Sequence, residues 1–304
     1  MKKIYGLALM LALAFVLAAC GSSDEGDSAE GSETPETLVM GFVPSQDSDT
    51  IADTVKPLAD ELSDVLGIPV EGKVMVDYNS LVEAMGANQV QIGFIPAFGY
   101  VLANEQYGVE VILKSERFGS GTYKAQYVVR ADSGIESLED LKGKRWAYAD
   151  KGSTSGYLFP ANQLMQEFGY DSAAELETDF FSNTLPAGGH DSAAIAVYEG
   201  DADVATTFDD VRTELEGDYP DVMDKLKVIG YTEEIPNDTI SVTKELDDEL
   251  VQKIKDAFLG FNENEDMIKI MNDVYNWDAI IEASDEEYKV VKDTYKKFKD
   301  NIEL

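Results

Sequence analysis

The run Gly152-Ser153-Thr154-Ser155-Gly156 follows an apolar segment ending at Asp150 and precedes a helix-patterned one. One Ser or Thr is enough to cap a helix. A helix start also offers backbone N–H groups that lack intrahelical partners, and a partial positive charge, which together favour anions. Three hydroxyls flanked by glycines would add neutral donors converging on one point, as an oxyanion with several oxygens requires. The same run also reads as a Ser/Thr-rich cap. Covalent chemistry has few resources. The chain holds one histidine (His190) and one cysteine (Cys20), with no Gly-x-Ser-x-Gly elbow and no metal-ligand spacing. A serine-hydrolase triad of Ser155, His190 and an Asp is the weak alternative. The expectation is a binding protein rather than an enzyme, with no cofactor and no metal.

The N-terminus says where such a site would work. Residues 1–19 join a short basic start to an apolar run too short for a comfortable membrane span, which reads as a signal peptide. The closing Leu17-Ala18-Ala19-Cys20 resembles a bacterial lipobox, which implies lipid attachment at Cys20. The plain alternative is an ordinary signal with an incidental cysteine. Residues 20–37 are dominated by Gly, Ser, Glu and Asp and read as a flexible acidic tether. With a single cysteine, no disulfide can form within the chain. The formal charge of −35, from 59 acidic against 24 basic residues, excludes a basic nucleic-acid-binding face.

The elements that must carry the hydroxyl run follow from residue 38 onward. A β-α-β-α-β pattern opens the body and predicts a parallel sheet covered by helices. Its first helix places Ile51, Val55, Leu58, Leu62, Val65 and Leu66 on one face, and its second takes Asp77 or Asn79 as cap. Strands at "VEVILKSE" and "YKAQYVVRAD" come next, then a middle β/α block. There "LETDFFSN" reads as a strand and "GHDSAAIAVYEGD" as a helix. "DTISVTKEL" reads as a strand returning to the first lobe, and helices finish the chain, "WDAIIEA" among them. The fold class is therefore α/β with two lobes: 38–131 plus 236–304, and 132–235. Two chain crossings join them, and a ligand would sit in the cleft at the strand ends. Trp146 and Trp277 read as core, and Tyr100 as a weak site candidate.

"GSTSGYLFPA" and "GGHDSAAIAVYEGDADVATTFDD", with "VDYNSLVEAM", "IPAFGYVLA" and "EEIPNDTISV", resemble the PhnD-like phosphate/phosphite/phosphonate-binding proteins of ABC importers. The likeness spans almost the whole body. It implies a type II periplasmic-binding-protein fold and a partner of a membrane permease, lipid-anchored through the lipobox cysteine; a monomer is the default. It also implies that Ser153, Thr154 and Ser155 cradle a small phosphorus oxyanion, with His190, Tyr78 and Tyr123 reaching the same group. Asp238 and either Asp209 or Asp210 match positions that hold a ligand's amino group. Each has a structural alternative: a satisfied core histidine, packed tyrosines, a helix cap, a turn. The acids would either pair an ammonium group or accept the proton of a hydrogen phosphate. The competing ligand is a sulfonate, a sulfate or a thiamine precursor; the acids speak against a simple sulfate, which brings no acidic proton, while an aminosulfonate, whose amine they could hold, stays open. No Lys or Arg lies in these motifs, so a cationic His190 is expected to supply the positive charge, with binding weakening at high pH.

Overall fold

The computed structural model describes residues 35–46 and 48–298. The signal peptide, Cys20 and the tether through residue 34 lie outside them. Apolar runs and helical stripes alternate along the chain, and the elements follow that alternation. The first part comprises β1 (Leu38–Phe42), α1 (Ser48–Leu66), β2 (Val70–Val74), α2 (Tyr78–Gly86), β3 (Ile92–Ile95), α3 (Ala97–Tyr107) and β4 (Glu110–Glu116). The middle part comprises β5 (Thr122–Arg130), β6 (Arg145–Tyr148), α4 (Phe159–Phe168), the short α5 (Ala173–Glu175), β7 (Asn183–Pro186), α6 (His190–Glu199), β8 (Val204–Phe208), α7 (Val211–Leu215), α8 (Val222–Lys225) and β9 (Leu226–Pro236). The chain ends with β10 (Thr239–Val242), α9 (Asp248–Gly260), α10 (Glu265–Tyr275), β11 (Ala279–Glu282) and α11 (Lys289–Lys296).

Two sheets result, ordered β11-β4-β10-β3-β1-β2 and β7-β6-β8-β5-β9. β1 pairs in parallel with β2 and β3, as the opening pattern requires, and β6 with β7 and β8. β10 returns antiparallel between β3 and β4. This is the two-lobed α/β architecture read from the sequence. One boundary moves: β5 bonds to β8 and β9, so residues 122–130 go with the second sheet and not with 38–121. The chain crosses between sheets after β4 and again after β9. Asn237 fastens the crossings together, its Nδ2 donating to the carbonyls of Ser115 (3.0 Å) and Ser120 (2.8 Å).

α1 buries Ile51, Val55, Leu58 and Leu62 against the first sheet, but Val65 stays 54% exposed. Phe42 stacks on Phe94 at 4.4 Å, and Trp277 packs on Phe94 at 5.6 Å. In the second lobe Trp146 stacks between Tyr157 and Phe181, its Nε1–H donating to Thr206 Oγ1 at 2.8 Å. Both tryptophans are core, as read. Three local expectations fail. Ala97–Tyr107 forms α3, where the sequence reading runs a strand through Phe98 and leaves the rest unassigned. Residues 176–180 coil as a wide π-turn, the strand starting only at Asn183. Ala279–Glu282 is a strand because the edge of β4 offers it a ladder from Glu116 to Leu113.

Candidate functional site

The hydroxyl run sits at the carboxyl end of β6, where the chain turns into a helix. Asp150 Oδ1 accepts from Gly152 N at 2.7 Å, and Asp150 O from Ser153 N at 3.0 Å. Ser153 is then the cap, its Oγ accepting from Gly156 N at 3.0 Å. The helix opens as a π-turn over Thr154–Leu158, with Tyr157 N and Leu158 N both donating to Ser153 O at 3.1 Å. Such a widened turn spreads the first N–H groups instead of stacking them, an arrangement common at functional sites. Gly152 is required here by close approach, since a Cβ would lie 2.9 Å from the Cβ of Tyr78 in the other lobe.

An enclosed cavity of about 20 Å³ lies between the lobes. Six of the nine residues named from the sequence as ligand contacts line it: Ser153, Ser155, His190, Tyr78, Tyr123 and Asp238. Tyr78 is the first residue of α2, capped by Asp77 through Ser80 N at 2.7 Å; of the two caps considered, Asp77 is the one used. The Tyr78 hydroxyl is buried without a hydrogen-bond partner, and burial raises its pKa. Tyr123 comes from β5 and likewise stays a neutral phenol, its pKa raised by burial and by Asp238. His190 opens α6; its Nε2 lies 3.2 Å from Ser153 Oγ, and its buried Nδ1 has no partner. Its ring packs on Phe208 at 4.9 Å. Burial, then the charge of Arg117, lower the imidazole pKa to about 3, so the ring is neutral in the empty site. In the empty site, then, His190 offers a hydrogen bond and not the charge expected of it. Asp238, on the second crossing, is raised to about 6 by burial, with Arg117 opposing.

The other three do not line the cavity. Thr154 turns away, its Oγ1 accepting from Phe98 N at 2.9 Å. Phe98 lies in the first turn of α3, whose cap residue Pro96 provides no side-chain acceptor, so Thr154 caps that helix from the opposite lobe. α6 is served in reverse: its cap, Gly189, has no side-chain acceptor, and His190 N donates to Ser45 O at 2.9 Å. Asp210 caps α7 through Arg212 N at 3.1 Å and pairs with the Arg212 guanidinium at 2.6 Å. Burial pushes its pKa up, but the bonds from Arg212 and Gln126 outweigh this and hold it low. Asp209 donates its N–H to Lys124 O at 3.2 Å. Both acids face a separate groove of about 820 Å³ that also holds Phe118, Lys124, Glu214 and Asn276. There Asn276 donates to Glu214 across the lobes.

Sequence reasoning missed several lining residues: Arg117, Tyr275, Ser45, Gln46, Pro96 and Phe208. Tyr275 donates to Val43 O at 3.0 Å and is structural. Arg117, one residue past β4, places a cation where none was expected. Its place in "SERFGSG", at the loop joining the two sheets, was the available signal.

Two α/β lobes, two crossings and a small donor-lined cavity between them are the architecture of the type II periplasmic-binding-protein fold. The chain belongs to the family described as ABC transporter, phosphonate, periplasmic substrate-binding protein, whose model matches residues 40–288. It is 30% identical over 252 residues to the phosphate-import protein PhnD of Mycolicibacterium smegmatis, covering 81% of this chain and 78% of that one. It is 26% identical to the phosphonates-binding periplasmic protein of Escherichia coli, over 77% of this chain and 68% of the other. Among solved structures, the binding protein of a Pseudomonas aeruginosa phosphonate transporter superposes with TM-score 0.76 at 24% identity, covering 85% of each chain. PhnD1 of Prochlorococcus marinus, in complex with methylphosphonate, gives 0.76 at 20% identity, over 87% of this chain and 98% of the other. This is a family of solute-binding components, not of enzymes.

Proposed function

We propose that the chain captures a small phosphorus oxyanion, such as phosphate, phosphite or methylphosphonate, in the cavity between its lobes and delivers it to a membrane permease. The carrying observation is the cavity itself. At about 20 Å³ it is a small space walled by polar groups, above the ~10–15 Å³ that admits one water. Its walls hold buried polar atoms without partners, Tyr78 Oη and His190 Nδ1, as a site lacking its ligand would. Ser153, Ser155, Tyr78, Tyr123 and neutral His190 supply hydrogen bonds, and Asp238 accepts the proton of a P–OH group. That acceptor disfavours sulfate and sulfonates, which carry none. The lobes close by moving about the two crossings, with ligand contacts from both sides favouring the closed form. The relative that imports phosphate and the methylphosphonate-bound structure support this choice over an aminoalkylphosphonate. A lipid on Cys20 would hold a monomeric body at the outer membrane surface; Cys20→Ser should then release it from the cell.

The test is calorimetry against phosphate, phosphite, methylphosphonate, 2-aminoethylphosphonate, sulfate and taurine. Binding of the first three with weak or no response to the others is expected. Tight 2-aminoethylphosphonate binding would refute the choice of a ligand without an amino group, and silence toward all four phosphorus ligands would refute the function.

A further inference from the structure

The sequence contains four arginines, and three of them are paired. Arg130 meets Asp132 at 2.7 Å, Arg145 meets Asp203 at 2.8 Å, and Arg212 meets Asp210 at 2.6 Å. Arg117 forms no ion pair among the described residues, although it is only 8% exposed. Its Nε is buried without a hydrogen-bond partner. Burying a guanidinium without a counter-ion is unfavourable, and removing one member of a buried pair is costly for that reason. The faces of Phe208 (4.9 Å) and Tyr123 (5.9 Å) offset part of the cost and hold the side chain in place. They do not supply the missing negative charge.

Three carboxylates, Asp238, Asp209 and Glu214, feel the charge of Arg117 without touching it. The side chain lines the cavity, and with His190 neutral in the empty site it is the one cation there among the described residues. A chain of formal charge −35 repels anions at long range, so a local cation must offset that field for one to stay.

We infer that Arg117 is the counter-charge of the bound oxyanion, donating from its guanidinium to the ligand's ionised oxygens, and so fixes the site's preference for an anion. This rests on the reading of the cavity as an oxyanion site. It also orients the ligand, with ionised oxygens toward Arg117 and the protonated oxygen toward Asp238. Arg117 would complete the site from the crossing itself, the segment whose geometry changes as the lobes move.

The test uses inorganic phosphate with the purified protein and its Arg117→Gln and Arg117→Lys variants. Arg117→Gln should weaken binding by about 30-fold or more, the range for truncating one partner of a buried charged pair, and Arg117→Lys should recover part of it. In the unmodified protein, only four Arg Nε–H resonances exist. Saturating phosphate should shift that of Arg117 well beyond the three paired ones. This reading needs no variant, so a Gln variant that fails to fold leaves the NMR result to decide. A Gln variant binding within about threefold of wild type, or an unmoved Arg117 signal at saturation, overturns the inference. If the unmodified protein binds none of phosphate, phosphite and methylphosphonate, the proposed function falls first. If it binds them with Arg117 silent, only this inference falls.

Discussion

Replacing Thr154 by Val isolates what the lobes give each other apart from the ligand. Thr154 Oγ1 accepts from Phe98 N at 2.9 Å, with the threonine fully buried and no cap from Pro96 to take its place. Valine keeps the shape and removes the acceptor, leaving a buried N–H unsatisfied. That costs about 1–3 kcal/mol, and under the proposed lobe closure the cost falls on the closed arrangement, because parted lobes would let Phe98 N reach water. At about 1.4 kcal/mol per factor of ten, ligand affinity should drop about 5- to 150-fold although Thr154 does not line the cavity. Calorimetry with phosphate or methylphosphonate measures this directly. Thr154→Ser keeps the hydroxyl and should stay near wild type. A loss in Thr154→Ser as large as that in Thr154→Val would mean that the site answers to any change of packing there, and the cap could not be credited with the effect. An unchanged Val variant would refute the cross-lobe cap as a contributor to closure.

Further outcomes follow from the same geometry. Tyr78→Phe removes a hydroxyl with no partner in the empty protein, so melting should not fall, while phosphate affinity should drop by about 10-fold or more; equal affinity would remove Tyr78 from the site. Asp210→Ala deletes a helix cap and an ion-pair partner, which should cost about 1–2 kcal/mol of stability by denaturant titration and leave binding unchanged; a large loss of affinity would return Asp210 to the ligand. Because the fold raises the Asp238 pKa from 3.8 to about 6, the native state holds a proton that the unfolded chain has lost between those values. Its stabilising contribution is full below pH 3.8 and lost as pH rises through 6. The melting temperature of wild type relative to Asp238→Asn should therefore fall from pH 4 to 7, and a flat or rising difference would refute the raised pKa. The single histidine gives one unambiguous Hε1 resonance, which should stay at its neutral position from pH 8 to 5 in the ligand-free protein; a midpoint near 6.5 would refute the buried, neutral ring.

The parts legible in the sequence are those that local chemistry decides. The parallel β1–β2 and β1–β3 pairs come from alternating apolar runs and amphipathic helices, and Ser153 comes from cap chemistry at a strand end. α3 was missed because Ala97–Ala103 is buried on every side, so no amphipathic stripe marks it as a helix. "WDAIIEA" carries too short an apolar run for its period to separate strand from helix; the open edge of β4 decides. Asp209 and Asp210 are indistinguishable as letters, and only the reach of Arg212 and Gln126 shows that Asp210 is already engaged. For Arg117 the sequence offered only its place in the loop joining the two sheets. Its significance lies in a partner it lacks, and sequence spacing carries no record of that.

Gly152 separates the protein's shape from its chemistry. A methyl group there would meet the Cβ of Tyr78 at 2.9 Å, and that atom is anchored to the first residue of α2 and cannot swing aside as a side-chain tip would. Gly152→Ala would therefore act as a wedge, prising the halves apart while every cavity-lining side chain remains. Such a protein would hold the full set of donors in a form that cannot shut. Presented to the permease beside the unmodified protein, it would ask whether the transporter recognises the cargo or the closed outline around it.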